Sequence, residues 1–290
     1  MLANIQGHND GLGSVLMFMR QFWQLFSVVS ILFYSDFASA GYCLEDWACW
    51  EVRETNGRYE FWVKNQKSHS FTGTLDVKTK NLRSLKKNKN RYSETIVVPG
   101  HSERVLLTLY PIQDGKDVSY RDVFYWMPGV MDADHNDDVI YQLPFAEGEQ
   151  YPLVQGFGGG WSHRGGSKYA VDFAMPVGTP VHAARNGFVV QTVAHHNRGG
   201  ASRRYAEYAN YVVVLHDDGT TGEYHHLMQD GVAVNVGDSV ESGDLLGFSG
   251  NTGFSSIPHL HFAVYRPKPF GEFESIQFRF ADGVSTSRRR

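Results

Sequence analysis

The chain has 290 residues, 42% of them hydrophobic and 20% charged, with a formal net charge of −4. That balance suits a folded globular protein and excludes a low-complexity or highly charged disordered one. A charge so close to neutral leaves no electrostatic footprint for nucleic acid, so none is expected as a partner.

The N-terminus reads as an export signal. Arg20 precedes the apolar run Phe22 to Phe33, and Ala38-Ser39-Ala40 offers the small-x-small pattern of a cleavage site. The run is short for a membrane span. Residues 1–40 are therefore expected to be a signal segment. The mature chain is then exported, periplasmic or secreted, and free of the membrane. In that oxidising setting Cys43 and Cys49, the two cysteines of the chain, are expected to form a local disulfide.

About 250 residues follow, enough for one large or two modest domains. Residues 41–130 alternate between short β-branched and aromatic runs and turn signals. Tyr59 to Lys64, Phe71 to Val77, Thr95 to Val98, Arg104 to Leu109 and Val123 to Trp126 read as strands; Asn56-Gly57, Pro99-Gly100 and Asp114-Gly115 read as turns. Regular strand spacing without helical periodicity predicts an Ig-like β-sandwich accessory domain. Lys86, Lys87, Lys89 and Arg91 read as a solvated loop within it.

Residues 131–150 read as a polar linker. Its stretch from Asp132 to Asp138 places acidic or amide side chains at alternate positions, but Asp137 stands where a calcium loop needs its turn glycine and Leu143 where it needs a closing glutamate.

Residues 151–275 are again β-rich. Val171 to Ala174, Pro180 to Ala183, Gly187 to Val193, Tyr211 to His216, Gly222 to Leu227 and Leu245 to Phe248 read as strands. Asp172, flanked by Val171 and Phe173, points away from the apolar side of its strand and needs a partner for its charge. In Pro258-His259-Leu260-His261-Phe262, period-two alternation puts both imidazoles on one side and Leu260 and Phe262 on the other. His163 lies in the loop feeding the Asp172 strand, and His225 and His226 follow Tyr224. If His163, Asp172 and His261 converge, they make a two-nitrogen, one-oxygen set with a fourth tetrahedral position open, the layout of a catalytic zinc site. His226 and His259 are then left for proton work. His182, His195 and His196 are rival ligands to His163. Residues 276–290 read as a C-terminal tail, ending in three arginines.

Several of these stretches together resemble the lysostaphin/LytM-type zinc metallopeptidases. They are Tyr169 to Val190, Asn210 to Gly219, Tyr224-His225-His226-Leu227, Val234 to Gly253 and Pro258 to Phe262, in the family's order within roughly residues 155–265. The resemblance implies an all-β fold: a LytM-type (duplicated hybrid motif) β-sandwich or barrel catalytic domain behind the accessory sandwich. It implies one Zn2+ per chain held by His163, Asp172 and His261, with His226 and His259 catalytic. His225 fills the variable position of the Tyr-x-His-Leu motif and is expected to turn away from the metal. The implied substrate is the peptide part of bacterial peptidoglycan, cut by an endopeptidase. A silent wall-binding or amidase-activating relative, or a secreted protease acting on proteins, is the alternative. One departure stands out: Asp172 follows His163 by nine residues, where the family's usual pattern is H-x-x-x-D.

Overall fold

The computed structural model describes residues 5–9, 42–44, 47–160, 162–283 and 286. The apolar run Phe22 to Phe33 and Ala38-Ser39-Ala40 lie outside them, as does most of the tail after residue 283. Among the described residues every regular element is a strand or a short 3-10 turn. No helix there is long and apolar enough to cross a membrane.

The first half is a pair of antiparallel sheets. One has Ile5–Asn9, Ser119–Pro128, Phe71–Lys80 and Arg91–Val98 in that order; the other has Tyr42–Leu44, Ala48–Thr55, Arg58–Asn65, Ser102–Pro111 and Leu82–Arg83. Their inner faces close on one aromatic core. Trp50 stacks on Phe124 from the opposite sheet at 5.2 Å between ring centres, and Trp47 meets Trp126 edge-on at 4.7 Å. Aromatic and β-branched side chains at every second position make this half-buried pattern possible. The Cys43–Cys49 disulfide is present and joins directly paired residues of the Tyr42–Leu44 and Ala48–Thr55 strands.

The second half is built on a large sheet with the order Leu153–Gln155, Ala170–Phe173, Leu260–Pro267, Thr221–His225, Tyr211–Leu215, Gly187–Val193 and Ser239–Val240. Phe273–Ile276 pairs with the Leu260–Pro267 strand as a side branch. A smaller sheet of Pro180–His182, Leu245–Ser249 and Leu227–Val232 supplies the other layer. Val171, Phe173, Val212, Val214, Tyr224, Leu260, Phe262 and Val264 enter the core between the two. Because side chains alternate, Asp172, His225, His261 and Tyr265 must emerge on the opposite face of the large sheet. That face carries the site.

Tyr141 and Phe145, in the stretch read as a linker, are buried in this second core, and so are Phe278 and Phe280 from the stretch read as a tail. Ile140–Tyr141 pairs in parallel with Arg279–Phe280. Their isolated aromatic residues carry no periodic signal in sequence; burial comes from this long-range pairing.

Candidate active site

One row of residues runs across the large sheet on its outer face. Gln155 lies opposite Asp172, Asp172 opposite His261, His261 opposite His225, and His225 opposite Tyr211. Cross-strand partners of this kind share a face and stand within reach of each other. The sequence separation between Asp172 and His261 is thus cancelled by strand pairing.

His163, Asp172 and His261 offer ligand atoms that all lie within 4.8 Å of one another. His163 Nε2 is 3.1 Å and His261 Nδ1 is 2.9 Å from the same oxygen, Asp172 Oδ1. The other oxygen, Oδ2, accepts from the Gln155 amide at 3.2 Å, which fixes the carboxylate plane. His163 enters from the loop before the 3-10 turn Gly165–Ser167, so the long spacing to Asp172 is taken up in a loop and a turn. His182 instead bonds the carbonyl of Gly243, and the rings of His195 and His196 lie tilted against each other, 4.0 Å between centres. None of these three is in the ligand group.

The hydrogen-bond partners of the rings decide what the cluster can hold. His163 Nδ1 is 2.9 Å from the Gly156 carbonyl, which can only accept, so Nδ1 carries the proton and Nε2 presents a lone pair to Asp172. His261 Nε2 is 3.2 Å from the Tyr265 hydroxyl, which itself donates to Ser167 Oγ. The His261 proton then sits on Nε2, and Nδ1 faces the carboxylate bare. Burial pushes the His261 imidazole below its ordinary value although the Asp172 charge opposes this, so the ring is neutral near pH 7. Two ring nitrogens presenting lone pairs and one carboxylate oxygen, converging without a proton between them, form a cation site. The residues present therefore fit a divalent metal. Bonds from Gly156, Gln155 and Tyr265 to the far side of each ligand are the outer support such sites use.

Two more imidazoles flank this cluster. His259 donates from Nδ1 to the Ile257 carbonyl at 2.7 Å, with Ser255 Oγ at 3.0 Å, and its Nε2 is 3.8 Å from Asp172 Oδ1. His226 donates from Nδ1 to the Thr252 carbonyl at 2.7 Å. Their ring centres are 4.6 Å apart. Burial first, then the neighbouring rings of His259, His261 and His225, push the His226 imidazole well below its ordinary value. Both Nε2 atoms are left available to a substrate or water.

The strand expected from Gly222 to Leu227 ends at His225, and His226 has φ 68, a left-handed conformation that a histidine rarely adopts. There the chain leaves the large sheet for the smaller one, where Leu227–Val232 continues. Strict alternation would have sent His226 into the core beside Tyr224; the left-handed residue lets it join the site.

The expectation that His225 turns away from the metal is corrected here. His225 is paired directly with His261, its ring centre 5.7 Å from that of His261, and it bonds Glu223 Oε2 at 2.9 Å. The alternation runs the other way because Tyr224 is the core residue, its hydroxyl accepting the Ala184 N–H at 2.7 Å. Sequence reading also passed over Gln155, Tyr265 and Asn210. The fully buried Asn210 amide ties the carbonyls of His196, Leu227 and Met228 around the bend after His226. Tyr265 was legible in principle, since it lies four residues beyond His261 on the same face of one strand.

Part of the chain is similar to known proteins. Residues 166–271 match peptidase family M23, a span that takes in Asp172, His226, His259 and His261 and begins just after His163. The glycyl-glycine endopeptidase ALE-1 of Staphylococcus capitis is 41% identical over 99 residues, 34% of this chain and 24% of that protein. Lysostaphin of Staphylococcus simulans is 40% identical over 99 residues, 34% of this chain and 18% of that protein. The peptidoglycan DD-endopeptidase ShyA of Vibrio cholerae is 39% identical over 99 residues, 34% of this chain and 20% of that protein. The matched stretch thus spans a quarter or less of each of these relatives. Among solved structures, the catalytic domain of lysostaphin from Staphylococcus simulans aligns with 43% of this chain and 88% of its own at 30% identity, with a TM-score of 0.32.

Proposed function

The chain carries a peptidase family M23 domain, and from that premise we propose that it is an exported zinc-dependent endopeptidase that hydrolyses peptide bonds of bacterial peptidoglycan. One observation carries the reading: His163, Asp172 and His261 converge with lone pairs facing a common point, and two further imidazoles stand beside that point. The relatives named for glycyl-glycine and DD-endopeptidase activity support the substrate class.

His163 Nε2, Asp172 Oδ1 and His261 Nδ1 would hold the zinc. When bound, such an ion polarises a carbonyl and makes water more acidic. The rest of the chemistry falls to side chains of the chain. There is no H-E-x-x-H and so no glutamate base of the kind that motif uses. His226 and His259 take that part. Each is held by a backbone carbonyl at Nδ1, which fixes the tautomer with a free lone pair at Nε2. A neutral Nε2 accepts a proton from the attacking water, and the imidazolium so formed can return it to the departing amine. Two rings 4.6 Å apart place both acceptor nitrogens beside the site, and the ring that has taken up the proton then carries an N–H that can donate to the developing oxyanion or the departing amine.

The test is digestion of purified peptidoglycan sacculi by the zinc-loaded protein, with released fragments identified by mass spectrometry. Soluble peptide fragments are expected, and His261→Ala should release none. No release by the wild-type protein, or equal release by His261→Ala, would overturn the proposal.

A further inference from the structure

The two halves of the chain are not simply strung together: the sandwich presents an outer face to the catalytic half. Along Ser119–Pro128, Phe124 and Trp126 point into the sandwich core, so Tyr125 and Met127 point out. On the neighbouring Phe71–Lys80 strand their partners are Thr74 and Thr72. Threonines on the outer face of a sandwich normally meet water. Here Thr72 is 2% and Thr74 is 1% exposed.

Part of what covers this face is the 3-10 turn Pro269–Gly271 of the catalytic half. The Phe270 N–H donates to Thr74 Oγ1 at 3.0 Å, and the Phe270 ring meets Tyr125 edge-on at 5.8 Å. Next to it the Val130 N–H bonds the Gly219 carbonyl at 2.9 Å. Gly129, with φ +95, permits that approach, since a Cβ there would stand 2.8 Å from the same carbonyl oxygen. The junction is thus built from a backbone hydrogen bond, a backbone-to-threonine bond and the buried Thr72 and Thr74, which together seat the sandwich against this turn.

That placement brings the sandwich to the site. A cavity of about 330 Å³ lies over the row of histidines, and its lining includes Trp126, Met127 and Pro128 together with His225, His226, His259 and His261. Phe273 and Tyr265 line the same cavity beside the metal ligands: their rings meet at 5.0 Å, and the Tyr265 hydroxyl is 3.2 Å from His261 Nε2. Met127 is the unpinned member of this wall, since Trp126 is locked in the sandwich core and Pro128 is buried. Its unbranched thioether can adapt to whatever it meets.

We propose that the sandwich forms a fixed wall of the substrate groove and that Met127 is a specificity-determining residue, limiting the size of the peptide residue that lies beside the scissile bond. The inference rests on the peptidase reading above. It assigns the first half of the chain a part in selecting the substrate.

The experiment uses the full chain with Met127→Ala, which enlarges the groove, and Met127→Trp, which fills it. Metal content and melting temperature of each variant are measured first, and both should match wild type because Met127 is partly exposed and holds no ligand. Synthetic peptides from cross-linked peptidoglycan, with the residue on either side of the cut varied in size, are then compared by kcat/KM. Affinities of the same peptides for the metal-free proteins are measured by calorimetry. Met127→Ala should improve the bulkier peptides relative to the smallest by about tenfold or more, the range expected for a few methylene groups in a pocket. Met127→Trp should shift the preference the opposite way. The affinities should follow the same order. If wild type cuts the peptides and both variants keep its order of preference, the wall proposal fails while the peptidase reading stands. If wild type cuts none of them and leaves sacculi intact, the peptidase reading fails, and an unchanged order of affinities in the variants overturns the wall proposal separately.

Discussion

Asp172 and His261 stand directly opposite each other on adjacent antiparallel strands, with His261 Nδ1 2.9 Å from Asp172 Oδ1. His259, two residues earlier, reaches the same oxygen only at 3.8 Å and is bonded through its other nitrogen to Ile257. The H-x-H pair is therefore divided into a ligand and a neighbour. His261→Ala should lose both metal and activity, whereas His259→Ala should lose activity by a factor of about 100 or more while keeping most of the metal. Metal analysis of the purified variants checks this; equal loss of zinc from both would contradict the division.

His226 governs the acid side of the activity profile. A base must be unprotonated to act, and burial with three neighbouring rings lowers the affinity of His226 for a proton. The acid limb of kcat/KM should accordingly lie below the ordinary histidine value of about 6.5. Activity falling already above that pH would count against His226 as the base.

His216 makes stability depend on pH away from the site. Its ring is buried and bonded at Nδ1 to the Asn186 carbonyl, and burial pushes it down to about 4, a bond to Asn186 opposing. The folded value is depressed, so the contribution is full above about pH 6.5 and is lost as pH falls toward 4, because the unfolded chain takes up the proton first. The loss over that window should be on the order of 3 kcal/mol. Denaturant unfolding between pH 7.5 and 4.5 measures it, and His216→Gln should flatten the curve.

Asn210 should matter for both stability and catalysis. Its buried amide satisfies three carbonyls around the bend that aims His226, and its carbonyl oxygen accepts the His196 N–H at 3.0 Å. Asn210→Ala removes these bonds, leaving the Leu227 carbonyl only its bond from Thr252 Oγ1, and should cost about 1–3 kcal/mol. Activity should fall with metal content retained. A variant with wild-type melting and full activity would show that the bend holds itself.

Much of the site was legible because each histidine or acid sat in a short pattern with local meaning. Alternation put His261 on one side of a strand and Asp172 on the polar side of another, and their pairing bears this out, while His259, read onto the same strand, lies just before it in an isolated bridge to Gly250. His225 was misread for the same reason that His226 was found. A motif names which residue follows which, but the core residue Tyr224 and the left-handed turn at His226 decide which way each ring points. The strands of both halves were visible from period two. The burial of Tyr141, Phe145, Phe278 and Phe280 was not, since single aromatic residues in polar stretches have no periodicity to display.

The sequence by itself determined the chemistry available here: which donor atoms exist, which strands alternate, and which two cysteines can pair. Only the tertiary structure decided their relations. Strand register brings Asp172 beside His261 across 89 positions, backbone carbonyls choose the free nitrogen of His163, His226 and His259 and the Tyr265 hydroxyl that of His261, and a buried threonine face seats the sandwich against the groove. The physical reason is that pairing register, tautomer and domain seating are set by contacts between distant segments, and a linear pattern records no distance between them.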